Sequence, residues 1–364
     1  MKATSVLIDA RLPWGSGIGR YVRNIVPVIT SRLPEITFTI LVMPQDGDLA
    51  RTIVASHGNC LVLETAIRPF SLAEQTQLPS LAQDYDLTWF TNYWVPMRWA
   101  GRFVVTVHDL IHLDARFPAS SIKRFAARQT FGKIGRDAEH VVFVSRFSQR
   151  VFEEQVGTPK AATVVHHGID HLATTDTGQS DRKPFALMVA AAKEHKNLDM
   201  LVRAWTRARI EGWELTLVTP ADDLRSSIRL EDHCNLNVRR GIADAELAHL
   251  YATAGFVVVP SRYEGFGLPL LEAMRAGAPV ISSTADALVE VAAGALIPFV
   301  HPNDHDGWVG ALRDMAGRCG PSTPWQAELS RHNREIADSF TWRQSAKATA
   351  NIIASALNKR SCDG

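Results

Sequence analysis

The sequence predicts an α/β protein of two domains, each a parallel sheet covered by helices, and three observations carry that expectation. The chain has 364 residues, more than one hydrophobic core usually supports. Short apolar runs alternate with longer amphipathic stretches along its whole length, the pattern of strands joined by helical crossovers. At 256–283 a buried-strand run, a glycine-bearing turn and a helix follow one another directly, reading FVVVPSRYEGFGLPLLEAMRAGAPVISS.

Composition narrows the function classes. Hydrophobic residues make up 46% and charged residues 21%, ordinary for a globular protein, and a net charge of +1 gives no signal for nucleic acid. Four cysteines, Cys60, Cys234, Cys319 and Cys362, lack metal or redox spacing. Reduced thiols in a cytoplasmic protein are the expectation, with neither disulfide nor structural metal. The N-terminus passes almost directly into a strand, and no run approaches the roughly 20 apolar residues of a membrane helix. Neither a secretion signal nor a membrane crossing is expected.

The first domain is expected at 1–169. After a strand at 5–8, a Gly-rich turn at 13–19 leads into a helix whose Ile18, Tyr21, Val22, Ile25, Val26, Ile29 and Leu33 form one face. The turn GSGIGR is half a dinucleotide fingerprint, but Arg20 stands where the last glycine belongs, which weakens a dehydrogenase reading. Strands are expected at 36–43, 60–63, 87–90 and 103–107. The last delivers His108 and Asp109 at its carboxyl end, where open α/β sheets place ligands. His108 and His112 resemble a metal pair, yet no third ligand is evident.

Between 116 and 136 there are six basic residues, Arg116, Lys123, Arg124, Arg128, Lys133 and Arg136, and no acidic one, interleaved with Ile122, Phe125, Phe131 and Ile134. Such a basic amphipathic segment suits an anionic membrane or a lipid-diphosphate, and equally a solvated helix face. A strand at 140–145, a helix opening at Ser145 and Ser148, and a strand at 162–166 complete the domain. His166, His167 and His171 are read as incidental surface histidines. A polar linker is expected at 170–184.

The second domain is expected at 185–340. A strand at 185–190 is followed by the loop AAAKEHKNL, which carries Lys193 and Lys196, and by a helix with Leu198, Leu201, Val202 and Trp205 inward. Strands at 215–219 and 236–238 come next, then Arg239 to Ile242 and a helix over 244–253. A terminal segment at 341–364 reads as a helix with Ala346, Ala348, Ile352, Ile353 and Leu357 on one side.

The chemistry concentrates at 256–283. Pro269 suits the first helical turn, whose N–H groups have no helical partner, and Gly277 suits the exit. Free N–H groups and the helix dipole favour an anion there. Gly265 and Gly267 let backbone approach a ligand closely. Glu264 and Glu272 bracket that position, and carboxylates beside a phosphate would repel it. They serve better as acceptors for sugar hydroxyls, while the loop amides of Phe266, Gly267 and Leu268 take the phosphates. Phosphates flanked by hydroxylated sugars describe a nucleotide sugar.

The stretch resembles the signature of retaining family-four glycosyltransferases of the GT-B fold, with two glutamates eight positions apart followed by Glu-Ala-Met and Gly-x-Pro-Val. The resemblance implies two Rossmann-like domains facing each other across a cleft, the C-terminal helix crossing back to the first. It implies that Glu264 orients the donor sugar and Glu272 grips the ribose. Lys196, with Lys193 beside it, would neutralise the diphosphate leaving group. Gly241 and Ile242 would lie against the nucleobase, Gly17 and Gly19 near the diphosphate, and His108 and Asp109 at the acceptor and donor sugar. Where the family has arginine this sequence has His195, so that role stays unassigned.

The whole arrangement is most similar to bacterial surface-polysaccharide mannosyl- and rhamnosyltransferases. It implies a hexosyltransferase using GDP-mannose, no metal or other cofactor, a glycan or lipid-linked acceptor, and a place in the cytoplasm, at the inner face of the membrane if the basic segment binds there. A nucleotide-sugar epimerase and a silent binding module of the same fold stay open as alternatives.

Overall fold

A computed structural model of the chain describes residues 4–117, 120–172, 182–220, 235–319 and 324–359. It divides into two compact units, one of Met1–Gly168 with Thr341–Gly364 and one of Ile169–Phe340.

The first unit is built on seven parallel strands in the order β3-β2-β1-β4-β5-β6-β7. They are β1 Ser5–Asp9, β2 Thr37–Val42, β3 Cys60–Glu64, β4 Leu87–Phe90, β5 Phe103–Val107, β6 His140–Phe143 and β7 Ala162–Val164. Ser5 lies opposite Thr37 and Val104 opposite His140. The central strands β4 and β5 are buried throughout, as their largely apolar composition favours, with Thr88 and Thr106 the polar residues among them, while edge strand β3 leaves Leu61 and Leu63 exposed. Strand order reverses between β1 and β4. The loops after those strands therefore diverge, leaving the kind of crevice in which α/β sheets bind ligands.

Helices α1 (Gly17–Arg32), α2 (Gly47–Val54) and α12 (Trp342–Asn358) cover one face, sharing a core with Tyr21, Ile25, Ala346 and Ile353. Helices α3 (Glu74–Ala82), α4 (Ser121–Asp137) and α5 (Arg146–Gln155) cover the other, around Leu78, Phe131, Ile134 and Phe152. The chain's last helix thus completes its first unit. Gly168 makes that possible, because a Cβ there would fall 2.0 Å from the Trp342 amide nitrogen.

Two expectations need correction here. The turn at 13–19 is shorter than predicted: Ser16 caps α1 by accepting from the Gly19 amide at 3.1 Å, so Gly17 and Gly19 already lie in its first turn. The basic stretch at 116–136 is not one charged face. Helical periodicity turns Lys133 inward, where its ammonium donates to the Trp99 carbonyl and to Asp137, both at 2.8 Å. Arg116 pairs with Asp114, and Arg124 donates to the Phe117 carbonyl.

The second unit has six parallel strands in the order β10-β9-β8-β11-β12-β13. They are β8 Lys183–Val189, β9 Glu214–Thr219, β10 Leu236–Arg240, β11 Ala254–Val259, β12 Val280–Ser283 and β13 Phe299–Val300. Helices α6 (Leu198–Ala208) and α10 (His305–Arg318) bury Leu201, Trp205, Trp308 and Leu312 on one side. Helices α7 (Asp244–Thr253), α8 (Leu268–Arg275), α9 (Asp286–Val291) and α11 (Pro324–Asp338) complete the unit, with α8 lying beside α7 and α11. Strand order reverses between β8 and β11, which leaves a crevice of the same kind at their carboxyl ends.

Of the linker expected at 170–184, residues 173–181 lie outside the described residues, as do Cys234 and Cys362, and Lys183 and Pro184 already belong to β8. Among the described residues no helix is long and apolar enough to cross a membrane, and no group of three or more His, Cys, Asp or Glu could hold a metal.

Candidate active site

In the second unit the loops after β8 and β11 are fastened together. Asn197 adopts the left-handed conformation, φ 61° and ψ 32°, which asparagine tolerates better than most residues. Its buried amide donates to the carbonyls of Pro260 at 3.1 Å and Pro302 at 2.8 Å. The Arg262 amide returns a bond to the His195 carbonyl at 2.7 Å. These ties bring Lys196 against Glu264. The ammonium lies 2.7 Å from both carboxylate oxygens, and the Ser261 hydroxyl donates to Oε1 at 2.7 Å.

Burial alone would push the Glu264 carboxyl upward, but the Lys196 charge and the bonds from Lys196 and Ser261 outweigh it, so its pKa lies below the ordinary value of 4.5. Glu264 is therefore ionised at neutral pH and able to accept from ligand hydroxyls.

Gly267 introduces α8 with φ 119°, and a Cβ there would sit 2.6 Å from Leu288 Cδ2, so glycine is required on both counts. No side chain caps this helix start. Leu268 opens the helix half-buried, and Gly265 lies half-buried between it and Glu264. The Phe266 side chain is buried with its ring 5.8 Å from that of Phe340, so it anchors the loop and leaves only backbone to face a ligand.

Glu272 is placed differently from its neighbours. Its side chain is 1% exposed; Oε2 accepts from the Tyr251 hydroxyl at 2.9 Å, and Oε1 lies 3.2 Å from His171 Nε2. Arg275, one turn on, donates to the Leu172 carbonyl at 2.8 Å and pairs with Asp338. Lys193 is exposed, Gly241 is exposed with φ 59°, and Ile242 is half-buried.

In the first unit, His108 follows β5 as expected. Its Nε2 is 2.8 Å from the Thr91 carbonyl, and its Nδ1 is 3.2 Å from His167 Nε2. The carbonyl fixes the proton on Nε2, leaving Nδ1 to accept from His167. The edge of the Tyr21 ring packs 5.0 Å away. Burial lowers the pKa of His108, and burial with neighbouring imidazoles lowers that of His167 further. Asp109 is half-buried and accepts from the Ile111 amide at 3.1 Å. A Cβ on Gly19 would strike the Trp14 backbone at 2.3 Å, whereas one on Gly17 would meet nothing within 4 Å.

The expected surface histidines are not all at the surface. His167 is buried and the His171 side chain is only 6% exposed, because each sits against aromatic or carboxylate partners. Sequence reading also missed Ser261, Tyr251 and the structural work of Asn197. A hydroxyl three residues before Glu264 was the visible signal for Ser261. A buried charge cluster at the end of β1 went unnoticed as well. Arg11 binds both oxygens of Asp9 and reaches Glu74, which also accepts from Trp94 Nε1 at 2.8 Å. Burial raises the Glu74 pKa despite Arg11.

Comparison with known proteins agrees with this architecture. Residues 15–171 match Glycosyltransferase Family 4, and residues 183–317 match Glycosyl transferases group 1. The chain is 25% identical to O-antigen chain mannosyltransferase B of Escherichia coli, over 92% of this chain and 95% of that protein. It is 28% identical to MMP alpha-(1->4)-mannosyltransferase of Mycolicibacterium hassiacum, over 70% of this chain and 65% of that protein, just under two thirds of the latter's length. Among solved structures, sucrose-phosphate synthase from Thermosynechococcus elongatus superposes with a TM-score of 0.78 at 20% identity, covering 98% of this chain and all of that one. HepE from Anabaena, in complex with UDP and glucose, gives 0.74 at 18% identity over 97% of this chain and 100% of that one. With a family 4 match in its first half, a group 1 match in its second and two parallel sheets of this topology, the chain belongs to the glycosyltransferases of the GT-B fold.

Proposed function

We propose that the protein transfers mannose from GDP-mannose, with retention of anomeric configuration, to a hydroxyl of a glycan or lipid-linked acceptor in surface-polysaccharide synthesis. The observation that carries the reading is the Lys196–Glu264–Ser261 cluster beside the uncapped start of α8. An ionised carboxylate there accepts from donor-sugar hydroxyls. The Lys196 ammonium, with a third N–H beyond the two directed at Glu264, stabilises charge growing on the diphosphate, joined by the amides of Phe266 to Leu268. Glu272 holds the ribose, Gly241 and Ile242 flank the base, Gly17 lies near the phosphates, and His108 and Asp109 position the acceptor. The leaving phosphate takes the acceptor proton on the same face, with no metal in the step.

The mannose assignment draws its support from the relatives, several of which are named mannosyltransferases. A thermal-shift screen with GDP, UDP, dTDP and ADP tests it, since a ligand at 100 times its Kd stabilises by about 2.7 kcal/mol. GDP is expected to give the largest shift, and a shift with UDP or dTDP alone would replace the donor. Incubation with GDP-mannose alone separates transfer from epimerisation, because an epimerase yields a new nucleotide sugar without acceptor.

We propose further that the first unit meets an anionic membrane through the start of α4. Ile122 is 80% exposed and Phe125 64% exposed, beside exposed Lys123 and Arg128. Phe70, Leu72 and Met97, on loops leaving the same carboxyl edge of the sheet, are exposed too. Apolar groups ringed by cations suit an acidic bilayer surface. Co-sedimentation with phosphatidylglycerol vesicles, weakened by salt and by Ile122→Ser with Phe125→Ser, is the expected result. Equal binding to neutral and anionic vesicles would reject it.

A further inference from the structure

The Glu272 carboxylate already has at least two partners. Tyr251, on α7, is wholly buried and donates to Oε2 at 2.9 Å. His171 Nε2 stands 3.2 Å from Oε1, a close contact that is not aligned as a hydrogen bond and so the weaker of the two. With the side chain 1% exposed, a ligand hydroxyl reaches this carboxylate only by taking the place of one of them. Of the two, the imidazole can leave at less structural cost. Its segment is held to α8 through main-chain carbonyls, those of Ile169 and Leu172, both facing Arg275 Nη1. Rotating the His171 side chain leaves those ties in place, whereas moving the Tyr251 hydroxyl disturbs the core of the unit.

We infer that His171 is an affinity-determining residue that occupies, at Glu272 Oε1, the position a ribose hydroxyl of the donor takes. This rests on the assignment of Glu272 to the ribose. Donor binding then has to displace the imidazole from the carboxylate before the ribose hydroxyl can bond there, which loosens the grip on the nucleotide and on the product diphosphate. Tyr251 has the opposite role: it keeps Oε2 bonded throughout and so aims the carboxylate.

The two side chains therefore predict effects of opposite sign. Calorimetric titration of the full chain with GDP and with 2′,3′-dideoxy-GDP tests this. His171→Ala is expected to tighten GDP binding by about 3- to 10-fold, because the ribose hydroxyl no longer has to displace the imidazole, and to leave the dideoxy nucleotide unchanged. Tyr251→Phe is expected to weaken GDP by a similar factor. His171→Leu, closer in volume, repeats the measurement should the alanine variant fold poorly. Unchanged or weaker GDP binding in the His171 variants, or equal tightening of both nucleotides, overturns the inference. Equal affinity for GDP and its dideoxy analogue in wild type and in the His171 variants alike overturns instead the ribose role of Glu272.

Discussion

Lys196 Nζ lies 2.7 Å from each oxygen of Glu264, and the pair is held by an asparagine, Asn197, that is not part of it. Side-chain exposures of 19% and 10% mean that neither charge can fall back on full hydration. Lys196→Met should lower stability by about 3 kcal/mol by leaving the carboxylate unpaired, and lower kcat by about a hundredfold or more. Because the Glu264 pKa is depressed, its stabilisation is present above the ordinary value of 4.5 and is lost as pH falls through the lower folded value. The gap in urea midpoint between wild type and variant should therefore close in strong acid.

Asn197→Ala removes two hydrogen bonds to buried carbonyls and forces alanine to φ 61°. A loss of about 2–3 kcal/mol is expected. Asn197→Gly keeps the backbone and should cost about 1 kcal/mol less. Paired urea titrations would show whether the two substitutions rank in that order.

Gly17 and Gly19 separate function from packing. Gly19→Ala meets the Trp14 backbone at 2.3 Å and should cost about 2 kcal/mol. Gly17→Ala meets no neighbour, so its melting temperature should match wild type while donor KM rises. A Gly17 variant normal in both would remove that residue from the site.

His108 and His167 make the first unit sensitive to mild acid. Both have pKa values below the ordinary 6.5, so the unfolded chain takes up protons first and stability falls as pH drops below about 6.5. Thermal melts at pH 7.5 and 5.5 should differ more for wild type than for His167→Gln, which keeps a donor without a titrating ring.

Glu74 closes the buried cluster of Arg11 and Asp9. Glu74→Ala should destabilise by about 3–5 kcal/mol, since it strips a buried guanidinium of one anion and leaves Trp94 Nε1 without this acceptor. Glu74→Gln, which retains an acceptor, should fall between, and urea midpoints at neutral pH would rank the three proteins.

The architecture was legible because buried parallel strands write themselves as continuous apolar runs, and β4 and β5 fall at the residues their composition marks. The loop from Glu264 to Gly267 was legible because glycine and proline leave few backbone options. Orientation was not. Glu272 sits one turn into a helix, where its spacing is equally compatible with facing a ligand or facing α7, and Tyr251 decides between them from 21 residues away. Lys133 shows the same limit: counting cations along 116–136 gives their number, while the helical period decides which of them meets water. Charge clusters such as Arg11 with Glu74 join residues 63 apart and leave no local pattern.

The return of α12 to the first sheet also sets an order of events during synthesis. The second unit is continuous in sequence, so everything it needs to fold has emerged before α12 exists. The first unit must wait with the Tyr21 face of α1 uncovered while the second is made, roughly ten to thirty seconds at ordinary elongation rates. Through that interval the ribosome carries a half-finished apolar surface, and a chain stopped shortly before Trp342 would keep it for good.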